Sequence, residues 1–199
     1  MRIILVRHGE TVDNIKGVTQ GWVHGKLTAR GRKQAKLLAK ELKKYKIDAI
    51  YSSDLGRAAD TAKIIAKFHK NVPILYAKEM REINKGVFQG RPREEAKEAR
   101  EKSGMPRHKW RPRGGESWED VQKRVQRFLT MIKKKHKNDT VLFAGHGRVN
   151  AIVLYTLARV PLRNRNKFKI SPNASINIIE INKHGKAKIK LLDYTGHLD

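Results

Sequence analysis

The chain has 199 residues, enough for one domain with a sizeable core, and no cysteine, which excludes disulfides, thiol catalysis and thiolate metal sites. Lys and Arg outnumber Asp and Glu by 45 to 19, a formal charge of +26, and no uninterrupted apolar stretch is long enough to span a bilayer. The cations are spread along the chain rather than blocked together, so nucleic-acid binding, steering of small anions and a lysine-rich surface suited to high temperature are all open readings of that charge; the acidic residues are too few to pair every lysine.

The N-terminus reads straight into a strand, without the apolar core and cleavage site of a secretion signal, and a cytoplasmic protein is expected. Residues 2–6 form that strand. The run Ile3-Ile4-Leu5-Val6 ends abruptly in Arg7-His8-Gly9-Glu10, as a strand buried on both faces would where it leaves a parallel sheet. Gly9 is read as the residue that lets the chain turn tightly there. Residues 11–27, with Asn14, Gln20 and Gly21, read as a polar loop lining that edge. Thr28 is a plausible N-cap for a helix carrying Ala35, Leu38, Ala39 and Leu42 on one face. A second strand at 48–51 is followed by Ser52-Ser53-Asp54-Leu55-Gly56-Arg57 and a helix with Ala58, Ala62, Ile65 and Ala66 inward. Arg57 thus stands at a strand-to-helix junction, where free N–H groups and a guanidinium suit an anion. Residues 72–76 read as a third strand, at an edge because of Pro73.

The stretch 85–113 holds Lys or Arg at ten positions and Glu at four, a net of +6. It reads as a lid-like excursion with a short polar helix near 93–102; a solvated surface insertion has the same composition. Ser117 with Asp120 approximates a capping box for a helix burying Val121, Val125, Phe128, Leu129 and Ile132. Val141-Leu142-Phe143-Ala144-Gly145-His146-Gly147-Arg148 then repeats the opening grammar. A helix over about 148–158, a basic loop at 160–173 and a hairpin of strands at 175–181 and 187–192 complete the chain, with an exposed edge at 175–192 that suits a homodimer. Strands alternating with helices give an α/β, three-layer sandwich with a mostly parallel central sheet flanked by helices.

If the first strand and that at 140–144 are neighbours, His8 and His146 share a crevice at the carboxyl edge of the sheet, where ligands bind in such folds. A zinc pair is disfavoured because Arg7 and Arg148 repel a cation, and a serine triad lacks its Gly-x-Ser-x-Gly elbow. Phosphate fits better. A neutral imidazole can attack phosphorus, Arg7 and Arg57 can neutralise the phosphoryl oxygens, and the second histidine can be protonated and act as a clamp. Glu82 is the candidate proton donor to the leaving oxygen, although a single Glu after a strand is more often a surface residue. His24, His69, His108, His136, His184 and His197 have no such placement.

Arg7-His8-Gly9-Glu10 with Asn14 resembles the signature of the histidine phosphatase superfamily, in its phosphoglycerate-mutase-like branch. Leu27-Thr28 with Gly31, Gln34 and Ala35, then Ser52–Ala58, Glu82-Ile83-Asn84 with Gly86 and Gly90, Gly115-Glu116-Ser117 and Gly145-His146-Gly147 resemble its later blocks, in order. The resemblance implies one histidine phosphatase domain over 1–199. It implies His8 as phosphorylated nucleophile, Glu82 as proton donor, and Arg7, Arg57 and His146 as the phosphate pocket. Asn14, Gln20, Gly21 and the Gly147 backbone become substrate contacts by position; no metal or cofactor is implied.

Several positions depart from the family pattern. Lys26 replaces a usual proline, Lys85 an aromatic residue, Phe88 a tryptophan and Arg148 a small or amide residue. Lys85 and Arg148 add charge, and a substrate with a second anionic group is expected from them. Mutases of the family are usually longer, with an Arg-Arg pair and a proline-rich segment in the excursion; here stand Arg91-Pro92-Arg93 and Met105-Pro106-Arg107. The expected function is therefore a metal-independent phosphatase acting on a small phosphorylated metabolite. A cofactor-dependent phosphoglycerate mutase using the same site is second. A basic nucleic-acid-binding protein with a vestigial site ranks last, since the chain lacks aromatic single-strand platforms and zinc-finger spacing.

Overall fold

A computed structural model describes residues 1–164 and 167–199. In chain order the helices and strands are β1 (Arg2–Arg7), α1 (Val12–Ile15), α2 (Ala29–Leu42), β2 (Ala49–Ser52), α3 (Gly56–Ala66), β3 (Ile74–Tyr76), α4 (Arg93–Lys102), α5 (Trp118–Lys135), β4 (Thr140–Gly145), α6 (Gly147–Leu157), β5 (Ile176–Ile181) and β6 (Ala187–Tyr194). The strands form one sheet in the order β3-β2-β4-β1-β5-β6. The first four are parallel; β5 and β6 are antiparallel additions beyond β1.

β1 is the apolar run at the start of the chain, and Ile3, Ile4, Leu5 and Val6 are completely buried. The two-residue period of a strand divides them. Ile3 and Leu5 join one core cluster with Val121, Phe128, Phe143 and Ile152, from the α5–α6 side. Ile4 and Val6 join the other with Leu38, Leu42, Ile50 and Ile65, from the α2–α3 side. Each such side chain contributes about 1.5–3 kcal/mol by leaving water. The sheet is therefore the middle layer of three, and β1 and β4 are its most enclosed strands.

Local chemistry explains the helix starts. The side chains of Thr28 and Ser117 accept N–H groups of the first turns of α2 and α5, and the reciprocal Ser117–Asp120 capping box is present. The basic excursion does contain a helix, α4, with no fully buried residue. Residues 11–27 are not all loop. Thr11 caps a single helical turn, α1, in which Thr11 Oγ1 accepts from the Asn14 N–H (3.1 Å) and Asn14 Oδ1 accepts from the Thr11 N–H (3.2 Å). One turn is too short for a helical period to be visible. The edge strand β3 begins only at Ile74, after Pro73.

Two further expectations change. Only β6 is an edge of the hairpin, because β5 is paired on both sides. Gly9 does not have a positive φ; it is needed for close approach, since a Cβ there would collide with the carbonyl oxygen of Gly31 in α2. Of the basic loop at 160–173, Arg165 and Asn166 lie outside the described residues. No helix among the described residues is long and apolar enough to cross a membrane.

Candidate active site

The register of the two central strands builds the site. β1 and β4 run parallel with Arg7 opposite Gly145, so the next residues, His8 and His146, leave the sheet at the same level. The His8 N–H donates to the Gly145 carbonyl (3.1 Å), continuing the ladder by one step. The two imidazoles meet edge to face, with centroids 5.2 Å apart and both rings buried. Asn150, one turn into α6, donates to the Val6 carbonyl (3.0 Å) and fixes α6 to the end of β1.

The tautomer of His8 follows from its neighbours. Nδ1 lies 2.7 Å from the Gly9 carbonyl oxygen, which can only accept, so Nδ1 carries the hydrogen. Nε2 then holds the lone pair, and it accepts from Arg57 Nε (3.3 Å). Arg57 is itself buried and fixed by backbone carbonyls: Nη1 donates to Val23 (2.5 Å) and His24 (3.3 Å), Nη2 to Gly21 (2.9 Å). The loop before α2 thus presents oxygen atoms that hold a guanidinium against His8. Burial, then Arg57 and Arg7, hold His8 well below the usual imidazole range. Burial, Arg57, His8 and Arg7 also hold His146 well below that range. Both rings are neutral, so the expected cationic clamp at His146 is not present: two guanidiniums in a desolvated site leave no room for an imidazolium.

His146 is completely buried beside His8. Its Nε2 is 2.8 Å from Ser53 Oγ, and that oxygen accepts from the Leu55 N–H (3.2 Å). Were Nε2 to donate, the buried Ser53 hydroxyl hydrogen would have no acceptor among the described residues. The satisfied arrangement has Ser53 donating to Nε2, which puts the hydrogen of His146 on Nδ1, a buried atom with no protein partner. Arg7 shows the same pattern. Nη1 donates to the Ser171 carbonyl (2.6 Å), while Nε is buried and unpartnered. Burial and the neighbouring arginines lower Arg7 to about 10, against a raising effect of Glu82; burial first brings Arg57 to about 10 as well. Both remain cations at neutral pH.

Glu82 is fixed by two backbone donors. The Ile83 N–H reaches Oε1 (2.9 Å), and the N–H of Arg148, in the first turn of α6, reaches Oε2 (3.2 Å). Its own carbonyl accepts from Trp22 Nε1 (2.7 Å) and Arg124 Nη2 (3.1 Å). Arg124 pairs with Glu116 through two N···O contacts, at 2.9 and 3.0 Å. Burial alone would raise the carboxyl; the Arg148 charge, the two N–H bonds and Arg57 outweigh it and lower Glu82 below the ordinary range.

These groups surround a cavity of about 160 Å³ lined by Arg7, His8, Asn14, Gln20, Gly21, Arg57, Glu82 and Arg148, together with Val18, Thr19, Arg93 and Ile170. Four guanidiniums face one carboxylate there, a surplus that suits a phosphate dianion. Gly147 lies beside rather than on the wall: a Cβ added to it would stand 3.5 Å from the Arg7 guanidinium and strike Ile170. Lys85 is elsewhere, in an adjoining cavity against α4.

Sequence reasoning missed Val18, Thr19, Arg93 and Ile170 on the wall and the supports behind it. Asn173 Nδ2 lies 3.0 Å from the His8 carbonyl, 3.3 Å from that of Gly9 and 3.2 Å from Asn14 Oδ1, fixing the turn after β1 and the amide of Asn14. Trp22 and Asn173 carry no local signal; each acts only once distant segments have closed on it. Arg93 had one, as the first residue of the helix in a strongly basic stretch.

A sequence model described as "Histidine phosphatase superfamily (branch 1)" matches residues 3–194. Phosphoserine phosphatase 1 of Hydrogenobacter thermophilus is 36% identical over 100% of this chain and 94% of its own length. Phosphoglycerate mutase-like protein 4 of Arabidopsis thaliana is 34% identical over 99% of this chain and 86% of its own. Among solved structures, Bacillus stearothermophilus YhfR superposes with a TM-score of 0.90 at 30% identity, covering 100% of this chain and 99% of that one.

Proposed function

Because the chain belongs to the histidine phosphatase superfamily, we propose that it is a metal-independent phosphatase that hydrolyses small phosphate monoesters through a phosphohistidine on His8. The observation that carries this reading is the tautomer of His8. Gly9 takes the Nδ1 hydrogen, so the Nε2 lone pair is available in a cavity walled by Arg7 and Arg57.

In the first step the substrate's phosphoryl oxygens draw the Arg57 Nε–H away from Nε2, and the freed lone pair attacks phosphorus in line. The N–P bond forms, the P–O bond to the leaving group breaks, and Glu82 protonates the departing oxygen. Glu82 is a carboxylate in the ligand-free site, so its proton comes from the substrate: a phosphomonoester monoanion carries one, with a second pKa of about 6. In the second step water attacks phosphorus, Glu82 accepts its proton, the N–P bond breaks, and Glu82 passes that proton to the departing phosphate, which leaves as the monoanion with His8 neutral and Glu82 a carboxylate again. Arg7 Nε and His146 Nδ1, two buried groups beside His8 with no protein partner, suit the oxygens on which charge accumulates.

A small phosphorylated metabolite as partner and a cytoplasmic place of action go with this reading. A phosphoglycerate mutase, as the name of the Arabidopsis relative suggests, would share the first step and return the phosphoryl group to a second hydroxyl instead of water. Turnover of an aryl phosphate in EDTA by the wild type, its loss in His8→Ala, and an acid-labile, alkali-stable phosphoryl-enzyme trapped by rapid quenching are expected. Equal turnover by His8→Ala would defeat the proposal. Phosphoryl transfer between positions of a phosphoglycerate without release of phosphate would replace it with the mutase.

A further inference from the structure

Helix α3 carries Arg57 as its second residue, yet the side chain at its own N-cap offers nothing to the free N–H groups of the first turn. Leu55 stands at that position, and it has no acceptor. The first two N–H groups go instead to one residue of a different segment, His24. The Gly56 N–H donates to His24 Nδ1 (3.1 Å), and the Arg57 N–H donates to the His24 carbonyl (3.2 Å). The same carbonyl accepts from Arg57 Nη1 (3.3 Å), so His24 meets Arg57 at both its backbone and its guanidinium.

The helix start and the loop are packed together at this point. A Cβ on Gly56 would stand 3.5 Å from the His24 carbonyl oxygen and 3.6 Å from the His24 Cβ, in ordinary van der Waals contact. The loop turns at Gly21 and Gly25, on either side of His24, with φ of 54° and 60°. Two side chains then tie it down in opposite directions. Trp22 Nε1 reaches the Glu82 carbonyl (2.7 Å), and His24 Nδ1 reaches the start of α3. Between these ties lie the carbonyls of Gly21, Val23 and His24 that receive the Arg57 guanidinium.

We infer that His24 is a positioning residue for Arg57: its imidazole Nδ1 caps α3 from outside the helix and so fixes the carbonyls that hold the guanidinium against His8. The effect on rate rests on the phosphatase reading. The chemistry of the cap states which side chains can replace it. Asparagine bears Oδ1 on Cγ, the atom that bears Nδ1 in histidine, and can accept from the Gly56 N–H in its place. Glutamine carries its oxygen one bond farther out, and alanine has none.

The test compares His24→Asn, His24→Gln and His24→Ala with the wild type, well below the unfolding transition. In EDTA, kcat/KM for p-nitrophenyl phosphate should fall about tenfold in the Ala and Gln variants, and Asn should restore it to within about twofold of the wild type. In protein labelled with 15N-arginine, hydrogen exchange of the Arg57 Nε–H should be about tenfold faster in the Ala and Gln variants and close to wild type in Asn. Equal rates in the three variants, or an Arg57 Nε–H that exchanges as slowly in His24→Ala as in the wild type, overturns the inference. His24 is exposed, so the variants are expected to fold; should His24→Ala not, Asn against Gln carries the comparison. Absence of aryl phosphate turnover by the wild type would count against the phosphatase reading instead, and the exchange rates would then still decide the role of His24.

Discussion

Arg57 Nε and His8 Nε2 are hydrogen-bonded at 3.3 Å, and this contact exists only while His8 is neutral and protonated on Nδ1. The arginine thus selects the form of the histidine that carries its lone pair on Nε2, and covers that lone pair; in the proposed reaction an arriving phosphate uncovers it.

Arg57→Lys tests that double role. Lysine keeps a charge but cannot span the carbonyls of Gly21, Val23 and His24 while reaching His8. A fall in kcat of about 10²–10³ is expected, together with loosening of the 21–24 loop. Steady-state kinetics and amide exchange of that loop check it; an unchanged kcat would assign Arg57 to charge alone, and undiminished protection would show that it does not hold the loop.

Ser53→Ala removes the hydroxyl that holds His146 Nε2. His146 can then take the other tautomer and lose the Nδ1 hydrogen offered to the phosphoryl group. We expect kcat to drop about 10-fold or more with KM little changed, since one charge-developing hydrogen bond is lost. Nitrogen chemical shifts of the His146 ring should report the tautomer directly. A ring that stays protonated on Nδ1 in the variant would show that Ser53 does not set it.

Glu82→Gln keeps one acceptor oxygen for the two backbone N–H groups that hold the carboxylate, and it cannot give a proton. The loss should therefore depend on the leaving group: about 10²–10⁴ for an alkyl phosphate and much less for p-nitrophenyl phosphate, whose phenolate leaves unaided. Rates across a series of leaving-group pKa values check this, with a steeper dependence in the variant. Parallel lines would remove Glu82 from the role of acid.

Stability should fall on the acid side. His8 and His146 have folded pKa values well below 6.5, their value when unfolded. Above 6.5 both states are neutral and the full stability is present; as pH falls from there toward the folded values, the unfolded chain binds protons that the folded one does not. Each histidine then removes about 1.4 kcal/mol per pH unit. Denaturant midpoints between pH 7.5 and 5 should decline, and the decline should be shallower in His8→Ala. Saturating inorganic phosphate should flatten it too, because a bound anion offsets the two arginines.

Most of the frame was legible because it depends on local rules. Apolar runs that end in His-Gly mark where two buried strands leave the sheet, helical spacing places the inner faces of α2 and α5, and Ser117 with Asp120 marks a cap. Arg57 was legible from its position after a strand. What could not be read was whatever depends on a partner distant in the chain. Trp22 donating to Glu82, Asn173 fixing the Gly9 turn and Ser53 orienting His146 are ordinary polar residues until the sheet closes. The neutrality of His146 was missed for a related reason: it is set by complete burial beside two arginines, and burial is a property of the assembled core. Lys85 was singled out by its chemistry, but only the path of α4 shows that it belongs to a neighbouring cavity.

The position of β1 between β4 and β5 also governs how the protein is made. The ribosome delivers Arg2–Arg7 long before Thr140–Gly145, the first of its two neighbours. At 5–20 residues per second the interval is roughly 7–30 s. Through that time Ile3–Val6 is an apolar strand with both hydrogen-bonding edges open, the kind of segment that chaperones bind and that aggregation recruits. His8 is made at the start and His146 only in the last third of synthesis, so the buried pair at the sheet edge is assembled late.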